Sequence, residues 1–345
     1  MAAKQRITVL DVARLAGVSQ GSVSRVITGK NWVSDELRQR VEAAVKELGY
    51  QPNPLAQGLK SQRSRAIAAL VSDISNPLHG NFLAGAEEIL QSQGYLLFVS
   101  STHNDAQREL ELIRAYGSGR VDGLIVAHSD ERNRPINRVL KTIGLPIIFH
   151  DRDARGLGDT VIVDHAEGAR IATRHLVALG HKRIAILTPP TTIRPGRERL
   201  IGYRAALEEA NIKPNESFIS TLDASDERAY EVTRELLQSS RHRPTALICL
   251  GTRMLAGVLE ACETAKLRIP EDISLIGIGD TDLIRLHKPP ITSVKWDITA
   301  CGRQAASMLL KRLAQADSGE SSPLNSFLFP VKLVDRGSCA KAPKS

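Results

Sequence analysis

A chain of 345 residues is long enough for two or three domains. Apolar residues make up 42% and charged residues 24%, as in soluble globular proteins. No run approaches the roughly 18 apolar residues of a membrane span, and Asp11 and Arg14 interrupt any leader-like stretch. The expectation is therefore a cytoplasmic protein without membrane partners. Cys249, Cys262, Cys301 and Cys339 form no CxxC pair, which excludes a disulfide scaffold.

The net charge of +8 is uneven: residues 1–65 carry 11 Lys/Arg against 5 Asp/Glu, the rest 35 against 33. A small basic module before a nearly neutral body suggests a polyanionic partner. The first 50 residues read as three short helices. Thr8 caps Val9–Ala16, with Val9, Val12, Ala13 and Ala16 on one face, and Gly17 stops it. Ser19 caps a second helix that buries Val23, Val26 and Ile27 and ends at Gly29. Ser34 opens a third that runs to Leu48, with Gly49 beyond its end.

Residues 51–64 are a Pro- and base-rich linker. From Ala66 onward, apolar runs alternate with amphipathic helical patterns: AIAALVS, YLLFVS, DGLIVA, PIIFH, TVIV, RIAILT, TALICL and SLIGIG. Such alternation predicts parallel, doubly wound sheets, and so many units predict two α/β lobes.

Ala13 and Gly17 are small where the first two helices cross, and Gly17-Val18-Ser19 makes a three-residue turn between them. That spacing predicts a helix-turn-helix. Gln20, Gly21, Ser22 and Arg25 share the outward face at the start of the second helix, where a recognition helix meets base edges. Arg25 suits guanine and Gln20 adenine, while Thr8, Ser19 and Ser24 suit phosphates.

TVLDVARLAGVSQGSVSRVITG, the run VSDELRQRVEAAVKELGYQPNPLAQGLKSQRSRAIAALVSDISNP, and then RVDGLIV, HLVALGHKRIAIL, RERLIGYRAAL and PPITSV resemble the lactose-repressor family of bacterial transcription regulators. The resemblance covers essentially the whole chain. It implies an N-terminal three-helix helix-turn-helix domain (1–50), a hinge helix (51–64) and a two-lobed, periplasmic-binding-protein-like body (65–340). The first lobe would span about 65–163 and 296–325, the second about 164–295 and 326–340. It further implies that Asn53, Ala56, Leu59 and Lys60 belong to the DNA-binding set, with Leu59 as the minor-groove wedge. Gly58 departs from a good hinge helix, at a cost of about 1 kcal/mol relative to Ala.

Effectors of such bodies bind at the C-terminal ends of the strands. The candidate effector residues are Leu78, His79, Asp151, Arg197, Arg253 and Asp280. Leu78 and His79 stand where the family usually has stacking aromatics, Ala224 replaces another aromatic, and Gly251-Thr252 replaces an Asn-Asp pair. Loss of the sugar-stacking rings, with Arg197, Arg253 and His79 as donors, suggests a small anion such as a sugar acid.

No GxGxxG after the first strand, GxSxG elbow, P-loop or HExxH motif is present, so an enzyme is not expected; neither is a metal or a cofactor. The alternatives weighed are a periplasmic-type solute-binding protein and an α/β enzyme. The expected protein is a repressor of a catabolic operon, binding a palindromic double-stranded operator as a homodimer and answering to a small-molecule effector. The chain ends at SCAKAPKS without tetramerising heptads, which favours the dimer.

Overall fold

The computed structural model describes residues 7–27, 33–50, 63–223, 225–238 and 243–343. Contacts divide the chain at Ser64/Arg65 into a small N-terminal unit and a large C-terminal one.

The N-terminal unit holds α1 (Val9–Ala16), α2 (Gln20–Ile27) and α3 (Asp35–Leu48). The Thr8 amide and hydroxyl both donate to the Asp11 carboxylate, at 2.8 and 2.7 Å, closing the first turn of α1. Gly17 (φ 62°) and Gly49 (φ 59°) end α1 and α3 in the left-handed conformation that glycine adopts without penalty. The core is Val12, Ala13, Ala16, Val23, Val26, Val41 and Ala44, the faces that helical periodicity selects.

The C-terminal unit is two six-stranded sheets, ordered β11-β5-β4-β3-β1-β2 and β12-β10-β9-β8-β6-β7. The first sheet comprises β1 (Ala66–Val71), β2 (Leu96–Ser101), β3 (Gly123–Val126), β4 (Ile147–His150), β5 (Asp159–Val163) and β11 (Ser326–Phe329). The second comprises β6 (Ile184–Thr188), β7 (Ile219–Thr221), β8 (Ala246–Leu250), β9 (Ser274–Ile278), β10 (Thr292–Lys295) and β12 (Lys332–Val334). All pairings are parallel except β10 with β12. Central strands β1, β3, β4, β6, β8 and β9 are buried along their whole length, as continuous apolar runs require when helices cover both faces.

The helices of this unit are α4 (Pro77–Ser92), α5 (Ala106–Gly117), α6 (Arg134–Thr142), α7 (His165–Ala178), α8 (Arg194–Glu209), α9 (Asp226–Leu237), α10 (Arg253–Thr264), α11 (Asp282–Leu286) and α12 (Ile298–Ser318). Three pairs pack most closely: α4 with α12, α7 with α8, and α9 with α10. A glycine sits at each crossing. A methyl on Gly202 would run into the Ala166 carbonyl, and one on Gly302 into that of Phe82.

Among the described residues the chain passes between lobes three times, after β5, after β10 and after β11. Strand β11 corrects the sequence-derived boundary: residues 326–329 join the first sheet, in parallel register with Thr160–Val163, and not the second lobe. Strands β7, β10, β11 and β12 were not expected. They are short, edge-placed or polar, with Ser and Lys where central strands carry aliphatics, so an apolar-run criterion passes over them.

Candidate functional site

In the N-terminal unit, Val23 and Val26 anchor α2 in the core, which turns Gln20, Gly21 and Arg25 to solvent. Ser22 and Ser24 are half-buried beside them. The Ser19 hydroxyl caps α2, accepting the Ser22 amide at 3.2 Å and lying 3.0 Å from the Ser22 hydroxyl. Arg25 Nε donates to the Gly21 carbonyl at 3.3 Å, which lays the guanidinium along the exposed face of α2. Arg40, which the sequence did not single out, reaches from α3 to donate to the carbonyls of Ala16 and Gly17, at 2.7 and 3.2 Å. It thereby satisfies the C-terminal carbonyls of α1 at the turn that sets the pitch of α2. Asn53, Ala56, Leu59 and Lys60, with Gly58, lie outside the described residues.

In the C-terminal unit, the C-terminal ends of β1, β4, β6 and β8 converge on a cavity of about 330 Å³ between the lobes. The first lobe lines it with Ser72, Leu78, His79, Ser129, Asp151 and Arg152, the second with Pro190, Ile193, Arg199, Asp223 and Thr252. Trp296, on a crossing segment, forms part of the wall. Of the sequence candidates, Leu78, His79 and Asp151 line this cavity, whereas Arg197, Arg253 and Asp280 do not.

Those three are engaged elsewhere. Arg197 donates to Glu131 at 3.0 Å and to Asp153 at 2.5 Å, outside the cavity wall. Arg253 pairs with Asp226 at 2.5 Å and lies 3.7 Å from Asp73, at a neighbouring rim groove. Asp280 accepts two bonds from Arg336, at 2.8 and 3.0 Å, behind the lobe crossings. Ala224 lies outside the described residues.

One basic group in the cavity wall is Arg199, only 3% exposed. Its Nη2 lies 3.2 Å from His165 Nδ1, and His165 Nε2 lies 3.1 Å from the Asp151 carboxylate. Its Nε and Nη1 are buried and have no hydrogen-bond partner in the protein. Burial pulls the Arg199 guanidinium down to about 10, against the attraction of Asp151. Asp151 is held well below the usual carboxylate range: burial opposes its charge, but His165 and the Val163 amide (2.9 Å) outweigh it. A second buried guanidinium, Arg152, is oriented by bonds to the carbonyls of His128 (2.6 Å) and Asp151 (2.9 Å).

Neutral imidazoles complete the wall. Burial, with His150 as neighbour, lowers His79 to about 3; burial likewise lowers His150 to about 4. His79 Nε2 lies 3.0 Å from the Ser72 hydroxyl, and His150 stacks on Phe82 at 3.8 Å between centroids. Buried Glu109 lies 2.6 Å from His128 Nδ1 and accepts the Ser129 amide (3.0 Å) and hydroxyl, which fixes Ser129 at the cavity edge. Sequence reasoning missed Glu109, Arg152 and Trp296. A glutamate on the apolar face of a predicted helix was the one available signal. Among the described residues, no cluster of His, Cys, Asp or Glu is arranged to hold a metal, and no helix is long and apolar enough to cross a membrane.

A helix-turn-helix unit followed by two binding-protein-like lobes around a cavity defines a class, the DNA-binding transcription regulators with a sensor body. Residues 8–53 match the description "Bacterial regulatory proteins, lacI family", and residues 173–339 match "Periplasmic binding protein-like domain". The HTH-type transcriptional repressor PurR of Haemophilus influenzae (strain PittEE) is 33% identical over 313 residues, 90% of this chain and 93% of that protein. PurR of Aliivibrio fischeri (strain ATCC 700601 / ES114) is 34% identical over 314 residues, again 90% and 93%. The lac repressor dimer bound to operator and an anti-inducer superimposes with a TM-score of 0.83 at 29% identity, over 97% of this chain and all of that one. The CelR–cellobiose complex gives 0.72 at 29% identity, over 96% of this chain and 100% of that one. The chain belongs to the LacI family of bacterial transcription regulators. It is a DNA-binding regulator, not an enzyme.

Proposed function

We propose that this protein is a cytoplasmic repressor of a catabolic operon that binds a palindromic operator as a homodimer and responds to a small anionic effector, of the sugar-acid kind, in the interlobe cavity. Buried Arg199, with two unpartnered donors in the wall of the interlobe cavity, carries the effector reading. A buried guanidinium is costly unless its donors are met, and a carboxylate meets them with opposite charge. The neutral imidazoles, Ser72, Ser129 and Thr252 offer donors and acceptors suited to the hydroxyls of a polyol. Arg197 and Arg253, named from the sequence as the anion donors, give way to Arg199 and Arg152.

The dimer reading is supported by β2, an edge strand with Leu96 and Phe98 exposed, and by exposed Ile74 beside it. In operator binding, Gln20, Gly21, Ser22 and Arg25 would face base edges, with Thr8, Ser19 and Ser24 near phosphates. The described residues carry a second effector reading, a neutral sugar, because Trp296 offers a ring to stack on and the CelR structure contains cellobiose. Calorimetry of the full-length protein against paired aldonates and aldoses separates the two. Binding of the acids alone supports the anion reading, and binding of the neutral sugars alone overturns it. Selection of genomic fragments by the protein tests the operator, and enrichment of a palindrome is the expected outcome.

A further inference from the structure

We propose that Glu131 and Asp153 of the first lobe and Arg194 and Arg197 of the second form a charged latch across one mouth of the cleft. Glu131 is its positioning residue, setting the helix that carries Arg199. The regulatory meaning of the latch rests on the cavity being the effector site.

The contacts are dense. Glu131, whose side chain is fully buried, accepts the Arg194 amide at 2.6 Å, Arg197 Nη2 at 3.0 Å and the Asp153 amide at 3.3 Å. Asp153 pairs with Arg194 Nη1 at 2.9 Å and with Arg197 Nη2 at 2.5 Å. Two carboxylates from the loops that follow β3 and β4 therefore meet two arginines from the first turn of α8. The Arg194 amide is one of the first-turn donors that α8 cannot satisfy internally, and the helix dipole adds to its attraction for Glu131. Glu131 thus holds both the backbone and a side chain of the opposite lobe, whereas at the other rim Arg253 approaches Asp73 at 3.7 Å.

Arg199 lies two residues beyond Arg197 on the same rigid helix, so lobe separation that breaks the latch also withdraws Arg199 from the Asp151 side of the cavity. An effector bridging Arg199 and the first lobe would favour the same closed arrangement. Latch and effector would then bias one two-state equilibrium, and weakening the latch lowers apparent effector affinity by the fraction of molecules left closed.

Hydrogen–deuterium exchange on the full-length protein without ligand tests this, comparing wild type with Glu131→Gln/Asp153→Asn and with Arg197→Gln. The expected result is exchange about tenfold faster over residues 190–200 in both variants, within the usual range of intersite coupling. Peptides of β6 and β8 should be unchanged, and 1 M salt, roughly a 3 Å screening length, should accelerate the wild type but not the double variant. Should the double variant fail to fold, Arg197→Gln, altered at a partly exposed side chain, supplies the same reading. Unchanged rates over 190–200, or acceleration spread through the whole lobe, would overturn the latch. Titration with sodium gluconate is the second arm. If it binds wild type, its affinity should fall in the variants only by the loss of closed fraction that the exchange rates report, and a change that departs from that loss counts against the latch. If it binds none of them, the anion reading fails while the exchange result still judges the latch.

Discussion

Arg197 and Arg199 differ by two positions, about 200° around a helix, so they face opposite ways. One reaches out to Glu131 and Asp153 and the other into the cavity. Both belong to the quoted motif, and charge and spacing alone do not rank them. Replacing Arg199 with Gln removes a charge-assisted interaction, and an acidic effector should bind about 1.5–3 kcal/mol more weakly. Calorimetry should show a much smaller change for any neutral sugar; equal losses would make Arg199 a structural residue. Replacing Arg25 with Ala should cost about 1–3 kcal/mol at one base pair of each half-site and relax the base choice there. Selection on randomised operators checks this, and a loss equal on all sequences would place Arg25 on a phosphate.

At the scale of elements, the central strands and most helices were legible because their burial leaves a pattern. A strand covered on both faces is an unbroken aliphatic run, and a helix covered on one face shows the 3.6-residue period. Strands β11 and β12 carry no such mark. Phe327 and Leu328 of β11 are substantially exposed, and β12 has three residues beginning with Lys332. Their places are decided by what they hydrogen-bond, β5 and β10. Helix pairing is also set by contact: Gly202 lets α8 approach α7 until its Cα faces the Ala166 carbonyl. Gly202→Ala should force the helices apart and cost about 1–3 kcal/mol, as overpacking does. A lower urea midpoint with unchanged slope is the expected measurement; an unshifted midpoint would show that the crossing has slack.

For the molecule as a whole, the interlobe cavity concentrates groups that folding holds in one protonation state. Burial depresses His79 to about 3 and His150 to about 4, and also lowers His165. Below the ordinary histidine value near 6.5 the unfolded chain binds protons that the folded one refuses, so stability falls as pH falls. Each histidine costs about 1.4 kcal/mol per pH unit until its native site titrates. The melting temperature should therefore drop between pH 7 and pH 5. A flat or rising profile would show that these imidazoles protonate freely in the folded state.

The sequence by itself determined the helix-turn-helix spacing, the basic bias of the first 65 residues and the doubly wound lobes. These are encoded locally, in glycine stops, caps and apolar periods that short windows contain. Only the tertiary structure decided which arginine enters the cavity, which sheet receives residues 326–329, and that Glu109 and Glu131 are buried with partners from elsewhere in the chain. Those outcomes depend on which surfaces meet across the cleft, between Glu131 and Arg197, or between Asp151 and His165. A charged side chain looks alike in sequence whether water or a partner from the other lobe compensates it, and the low dielectric of the closed interface is what makes the partner matter.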